Sequence, residues 1–369
     1  MKFEEFELER NQSLFEHEVD FNLSESGLHP LPLKSILTKN EQSDLMDTEL
    51  IYGHTNGTPS LREKISKLYN SVKSENILVT SGSAEANYVA IMTLLNPGDE
   101  LIYMVPNYLQ IRGIARNIGV NIVELPLREK LGWQWDINEL ESVISNKTKM
   151  IAICHPNNPT GSIVSKENIK KIIDIASKND CWILSDEVYR GAELNGVESP
   201  SFYGSYEKTV VNAGLSKAYR LPGLRIGWTV GPKDYIKKAW AFHDYTSISI
   251  AYHSDWVASK ILDSKRRKKI LDGTKRHLNE NLNTLVNWID TLDGKLSITT
   301  PQAGAIAFVK IHLNTTSQDL TYHIRDNYSV LLTAGKWFGL EGFLRFGFGP
   351  PNNYLVKALE KIGKSLKTI

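Results

Sequence analysis

Apolar positions along the chain change their period several times, and each change predicts an element. Residues 1–50 are polar and mixed, with little periodicity. From Ser60 to about Tyr69 apolar residues recur at helical spacing. Short apolar runs then alternate with helical ones. "NILVTS" (76–81) predicts a strand and "SAEANYVAIMTLL" (83–95) a helix. "DELIYMVP" (99–106) is a strand, "YLQIRGIARNIG" (108–119) a helix closed by Gly119, and "VNIVELP" (120–126) a strand again. "MIAICHP" (150–156), "CWILSDE" (181–187) and "KTVVNAG" (208–214) are three more. Between the first two of these, "SKENIKKIIDIASKND" (165–180) opens with a serine N-cap and predicts a helix.

Strands alternating with helices predict an α/β fold, a mostly parallel doubly wound sheet covered on both faces. Beyond about residue 280 the pattern changes. "GAIAFVKI" (304–311), "YSVLLTAG" (328–335) and "GFLRFGFG" (342–349) look like strands of a smaller α+β unit, closed by the helix "NNYLVKALEKIGKSL" (352–366). The expected division is an N-terminal segment 1–50, a large unit 51–280 and a small unit 281–369.

Composition narrows the partners. The net charge is +1, so no global field draws nucleic acid or an anionic membrane. The basic run "SKRRKK" (264–269) lies in a helical pattern and reads as a solvated face. No apolar stretch approaches a membrane span, and "MKFEEFELER" is acidic with no apolar core of a signal peptide. Cys154 and Cys181 fall in strand-like runs, which suits buried reduced thiols in a cytoplasmic protein. No metal-ligand spacing occurs, and no metal is expected.

In doubly wound sheets ligands bind at the carboxyl ends of the strands. After the first strand, Gly82, Ser83 and Ala84 open a helix whose free N–H groups suit a phosphate, or serve an ordinary strand–turn–helix. Tyr108 in "VPNYLQI" is a stacking ring or a core aromatic. Asn158 in "HPNNPTG" precedes Pro159, which restricts it and can aim its amide; plain turns use the same residues. Both X-Pro bonds there are candidates for cis. Asp186 ends an apolar strand and needs a cation, which an arginine would also supply. Tyr189 lies three residues on. Lys217 sits among small residues in "AGLSKAYRLPGLRIGW" (213–228), where burial disfavours the ammonium and favours a nucleophile and base. One ligand uses all of these groups, a phosphorylated pyridine aldehyde. The lysine condenses with the aldehyde, the carboxylate holds the ring nitrogen protonated, phenol and amide bind the ring oxygen, and Tyr108 stacks on the ring.

The pattern S-K-x-x-x-x-P-G-x-R-x-G is present as Ser216, Lys217, Pro222, Gly223, Arg225 and Gly227. With it the chain resembles, over nearly its whole length, the fold-type I pyridoxal-phosphate enzymes of the class I/II aminotransferase family. The resemblance implies pyridoxal 5′-phosphate carried on Lys217. Arg225 would clamp the phosphate beside Gly82, Ser83, Ala84 and Ser216. Asn158 and Tyr189 would meet the ring oxygen and Asp186 the pyridinium. Arg345 in "FLRFGFG" would hold the substrate α-carboxylate. Tyr52 in "YGHTNGTPSLR" would reach the phosphate of a neighbouring subunit, which implies a homodimer with shared sites. Gly214 departs from relatives that place a serine there, and Ser83 and Ser216 are expected to take over its contact. Arg220 is outside the pattern and reads as surface.

Three stretches narrow the reaction. "LSESGLHPLPL" (23–33), "LSKAYRLPGLRIGW" (215–228) and "HDYTSIS" (243–249) resemble those of capreomycidine synthases, which cyclise a hydroxylated arginine. "AFHDYTSISIAYHSDW" (241–256) holds no lysine or arginine and offers Asp244 and Asp255. The expectation is cyclisation of a hydroxyarginine to a cyclic guanidino amino acid of the capreomycidine or enduracididine type. The alternative is transamination to a 2-oxo acid. In this family the N-terminal segment folds over the site, so Glu9 and Glu25 would face the guanidinium, and Ser24, Ser26 and Gly27 the substituent. No helix-turn-helix precedes the core, which argues against a transcription regulator of this fold.

Overall fold

The computed structural model describes residues 3–369. Strand β1 (Phe21–Asn22) lies apart from the main sheet. Seven strands make that sheet: β2 (Ile77–Ser81), β3 (Glu100–Val105), β4 (Asn121–Pro126), β5 (Thr148–Cys154), β6 (Trp182–Asp186), β7 (Thr209–Gly214) and β8 (Ile226–Val230). Their order is β2-β8-β7-β6-β5-β3-β4. Neighbours from β7 through β4 pair in parallel. Strand β8 runs antiparallel to both β7 and β2. This is the α/β fold with a mostly parallel sheet that the hydrophobic pattern predicts. Successive strand residues feed two cores. Ile151 and Ile153 pack on one face, Met150 and Ala152 on the other, so the strands read as continuous apolar runs.

Strand β8 is not legible in the hydrophobic pattern, because it follows the Pro222–Gly223 turn and contains a glycine. It explains Gly214. A Cβ there would stand 2.8 Å from the Ile226 carbonyl oxygen. A Cβ on Gly227 would stand 2.3 Å from the backbone N of Ser83. Strand β8 thus meets β7 at Gly214, and the start of helix Ser83–Leu94 at Gly227, with no room for a side chain on either residue.

The smaller sheet contains β9 (Leu296–Ile298), β10 (Ile306–Ile311), β12 (Thr333–Ala334) and β13 (Phe343–Gly347), antiparallel in the order β12-β13-β10-β9. The apolar run "YSVLLTAG" is divided. Strand β11 (Val330–Leu331) pairs in parallel with β1, and β12 joins the antiparallel sheet. The 27-residue helix Ser264–Asp290 runs unbroken through position 280. Its basic run is not uniformly solvated. Arg266 and Arg267 are half-buried and pair with Glu41 (3.0 Å) and Glu198 (2.7 Å).

The first fifty residues hold more order than their pattern suggests. Helix Glu7–Phe15 buries only Leu8 and Asn11, so it carries no apolar stripe to detect. Glu4 pairs with Arg112 (2.9 Å) and Arg116 (3.3 Å), and the Phe6 ring lies 4.9 Å from that of Tyr108. The segment is thus strapped to helix Gln110–Asn117 and the Tyr108 loop before it, and β1 then joins it to β11. Among the described residues no helix is long and apolar enough to cross a membrane. Both cysteines are buried and unbridged.

Candidate active site

The strap, the carboxyl ends of β5, β6 and β7, and the small sheet line a partly open cleft of about 260 Å³. It brings together Ser83, Ala84, Tyr108, Asn158, Asp186, Tyr189, Ser216, Lys217, Arg225 and Arg345. From the strap come Glu9, Glu25 and Ser26. Both X-Pro bonds of the Asn158 loop, His155–Pro156 and Asn158–Pro159, are cis.

Asp186 forms the floor and is 8% exposed. Its carboxylate accepts from the Asn87 side-chain amide at 2.9 Å and from the Val188 backbone N–H at 3.1 Å. The expected alternative partner, an arginine, is absent: Asp186 makes no ion pair within 4.0 Å among the described residues. Burial pushes its carboxyl pKa up, and the two hydrogen bonds and the more distant Lys217 oppose that rise.

One end of the cleft is built from backbone. Gly82, at φ 80°, turns the chain from β2 into helix Ser83–Leu94, which presents the N–H groups of its first turn. The Arg225 guanidinium stands where a Gly82 side chain would be, 2.5 Å from the position of its Cβ. Arg225 itself is exposed and left-handed, φ 51°, and donates to the Pro222 carbonyl at 3.1 Å. Ser216 lies beside it, nearly buried.

At the other end Arg345 is 1% exposed. It donates to Asn158 Oδ1 at 3.1 Å, to Thr333 Oγ1 at 3.2 Å and to the Ser24 carbonyl. Its Nε is buried with no partner. Tyr108 donates its hydroxyl to Glu9 at 2.6 Å, and burial together with that carboxylate keeps the phenol protonated.

Lys217 differs from expectation. Its Nζ lies 3.0 Å from Glu25 Oε1. Burial lowers its pKa, but Glu25 and Tyr189 outweigh burial and the net direction is up. The ammonium in turn holds the Glu25 carboxyl down at about 2. Glu25 also accepts from the backbone N–H groups of Ser26 and Gly27, both at 2.9 Å.

Several expected residues stand elsewhere. The Ser24 hydroxyl donates to Asn22 at 2.8 Å, so only its carbonyl serves the site. Gly27 lies against Lys217 Cδ without lining the cleft. Asp255 is buried and bonded to Thr58 at the start of helix Pro59–Ser66, and Asp244 is exposed outside the cleft. Neither offers a carboxylate to a substrate in this cleft. Tyr52, expected to serve a neighbouring subunit and not its own cleft, is 86% exposed and does not line the cleft of its own chain. Asn87, Gln110 and Gln12 do line it and were not anticipated. The one signal was an asparagine on the buried stripe of an apolar helix.

The aminotransferase class I and II family model matches residues 19–362. The chain belongs to this family. A solved PLP-dependent aminotransferase from Streptococcus suis superposes with a TM-score of 0.94 at 32% identity, covering 100% of this chain and 99% of that one. This aminotransferase-family chain is 29% identical to an aspartate aminotransferase of Pyrococcus horikoshii, over 84% of its own length and 82% of the relative's. It is 25% identical to the capreomycidine synthase of Streptomyces vinaceus, over 94% and 90%.

The family's cofactor is pyridoxal 5′-phosphate, and the cleft fits it. A buried carboxylate with no cation suits a protonated ring nitrogen. A helix start beside an arginine suits a phosphate. The lysine lies in the same cleft as both.

Proposed function

We infer that the protein is an aminotransferase acting on an amino acid with a cationic side chain, passing its amino group to a 2-oxo acid. One observation carries the side-chain preference. The cleft's three cations are each spoken for, Lys217 by the cofactor aldehyde, Arg225 by the phosphate and Arg345 by the α-carboxylate. Of the chain's own charged groups lining the cleft, with Asp186 given to the ring nitrogen, Glu9 and Glu25 are then left to face the side chain.

Bound pyridoxal phosphate supplies a ring that accepts the negative charge developing at the substrate Cα. The chain's residues do the rest in this reading. Arg345, with its free Nε–H, fixes the α-carboxylate. Lys217 Nζ takes the Cα proton. Asp186 holds the ring nitrogen, Asn158 and Tyr189 the ring oxygen, and Ser83, Ala84 and Ser216 share the phosphate with Arg225. Residues 51–280 form the cofactor-binding unit, and 281–369 with the N-terminal strap form the small unit. The exposed Met46, Leu50, Tyr52 and Tyr245 support a homodimer in which Tyr52 completes the partner's phosphate site.

The test compares kcat/KM for arginine, lysine, aspartate and leucine with a common 2-oxo acid. Preference for the cationic pair supports the reading, and preference for aspartate or leucine overturns it. A second reading, cyclisation of a hydroxyarginine, is favoured by the capreomycidine synthase likeness over nearly the whole chain. Incubation with 3-hydroxyarginine and with 4-hydroxyarginine, each without a 2-oxo acid, separates the two. Loss of water with a new ring in the product supports cyclisation, and unchanged substrate supports transamination.

A further inference from the structure

Asn87 is an unusual residue for its place. It occupies the buried stripe of helix Ser83–Leu94, with Ala86, Val89, Ala90 and Ile91. A buried amide there costs stability unless every polar atom is bonded. Each one is. Nδ2 donates to Asp186 Oδ2 at 2.9 Å and to Gln110 Oε1 at 3.2 Å. Oδ1 accepts from Asn212 Nδ2 at 2.9 Å. Gln110 is itself fixed, donating to the Ala84 carbonyl at 3.0 Å. Asn212 sits on β7 directly opposite Asp186 on β6.

The orientation is forced. A carboxylate only accepts, so Asn87 must turn Nδ2 toward Asp186, and its Oδ1 then faces the Asn212 amide. Rotating Asn87 by half a turn would set oxygen against oxygen at Asp186. The three side chains therefore form one directed row of donors, Asn212 to Asn87 to Asp186, ending on the carboxylate at the cleft floor.

We propose that Asn87, held by Asn212, is a positioning residue that keeps Asp186 ionised, so that the proton shared with the cofactor's ring stays on the ring nitrogen. A donor hydrogen bond to a carboxylate stabilises its charged form. Removing the donor makes Asp186 the better base and draws the proton from the ring to the carboxyl oxygen. Burial already pushes Asp186 that way, and besides Asn87 only the Val188 N–H bonds to it. Neither Asn87 nor Asn212 bears charge, so the device adds no competing ion to the cleft.

This inference rests on Asp186 meeting the ring nitrogen. The experiment loads the full-length protein with ¹⁵N-labelled pyridoxal phosphate and reads the ring-nitrogen chemical shift, together with the cofactor dissociation constant. Asn87→Leu is expected to move the shift toward the unprotonated value and weaken cofactor binding on the order of tenfold, the loss of one charge-assisted hydrogen bond. Asn212→Leu, one step further from the cleft, is expected to move the shift the same way by less. A protonated shift retained in both variants overturns the proposal. If Asn87→Leu yields no holoprotein, Asn212→Leu decides alone by the same criterion. Asp186→Asn separates the two levels. A shift unchanged in that variant means the assignment of Asp186 is wrong, whatever Asn87 does.

Discussion

Glu25 answers to two partners. In the free protein it pairs with Lys217, and once Lys217 is engaged by the cofactor its carboxylate faces the cleft, 48% exposed. Replacing it with glutamine keeps the shape and removes the charge. Glu25→Gln is expected to lower kcat/KM for arginine by 10- to 100-fold, approximately the range of a lost charge-assisted contact, and to leave leucine within about twofold. Steady-state kinetics on the two substrates check it. The same pair sets an acid limit. The Glu25 carboxyl titrates near 2 when folded and near 4.5 otherwise. Its contribution is complete above pH 4.5 and fades as pH falls toward 2. Melting temperatures of cofactor-free wild type and Glu25→Gln are therefore expected to differ at pH 7 and to converge as the pH drops below 4. The residues at strand ends were legible as a set, because one ligand uses all of them, although each alone also suits a turn, a cap or an ion pair. The Lys217–Glu25 pair was not, since nothing local tells that residues 192 apart will touch. Asn87 was missed for a related reason. An amide on a helix is silent until its partners on two other elements are placed.

Strand β8 acts through what it lacks. Gly227 brings the strand onto the first turn of helix Ser83–Leu94, where a Cβ would strike backbone. Gly227→Ala is expected to cost about 1–3 kcal/mol of stability, the usual scale of overpacking, and to weaken cofactor binding by displacing the helix start. Gly223→Ala, whose Cβ meets nothing within 4 Å, is the control and is expected to leave both nearly unchanged. Denaturant unfolding and cofactor titration read the two effects. The loop after β5 carries a second element-scale consequence. His155 is fully buried, accepts from the Val164 N–H at Nδ1 and meets the Pro200 carbonyl at Nε2. Burial pushes its pKa down to about 4 from 6.5. The unfolded chain gains a proton below pH 6.5 that the folded one refuses until 4. Stability attached to neutral His155 is thus present above 6.5 and lost progressively down to 4, by about 3 kcal/mol. Urea unfolding of wild type and His155→Asn at pH 7.5 and 4.5 is expected to show a steeper fall for wild type. Among elements, those with long apolar runs were legible in the sequence. Strand β8, broken by glycine, and β1, two residues long, take their identity from the strands they pair with.

At the scale of the whole molecule, Tyr52 is exposed beside Met46, Leu50 and Ile51, which are exposed as well, and the proposed homodimer would cover them. Mixing a Tyr52→Ala protein with a Lys217→Ala protein is expected to recover part of the activity that neither shows alone. Heterodimers would contain one site with both residues intact. Assays after a demonstrated subunit exchange check it, and no recovery there would count against sharing of the site. A second, smaller sheet was legible in the strand-like runs beyond residue 300, whereas residue 280 marks no break, since helix Ser264–Asp290 runs through it. The connection made by the first residues was not legible. The N-terminal strap holds helix Gln110–Asn117 through Glu4 and strand β11 through β1.

That connection has an order in time. Phe21 waits for Val330, and the backbone of Leu23 for Leu331 and Gly347, roughly three hundred residues later in synthesis. At about 5–20 residues per second, the interval on the ribosome is some fifteen seconds to a minute. Throughout it the large sheet can assemble and receive residues 4–9, whose partners lie at 108–116, while Leu23, buried in the finished protein, lacks its own. The stretch around Leu23 is therefore seated last, although it was made among the first.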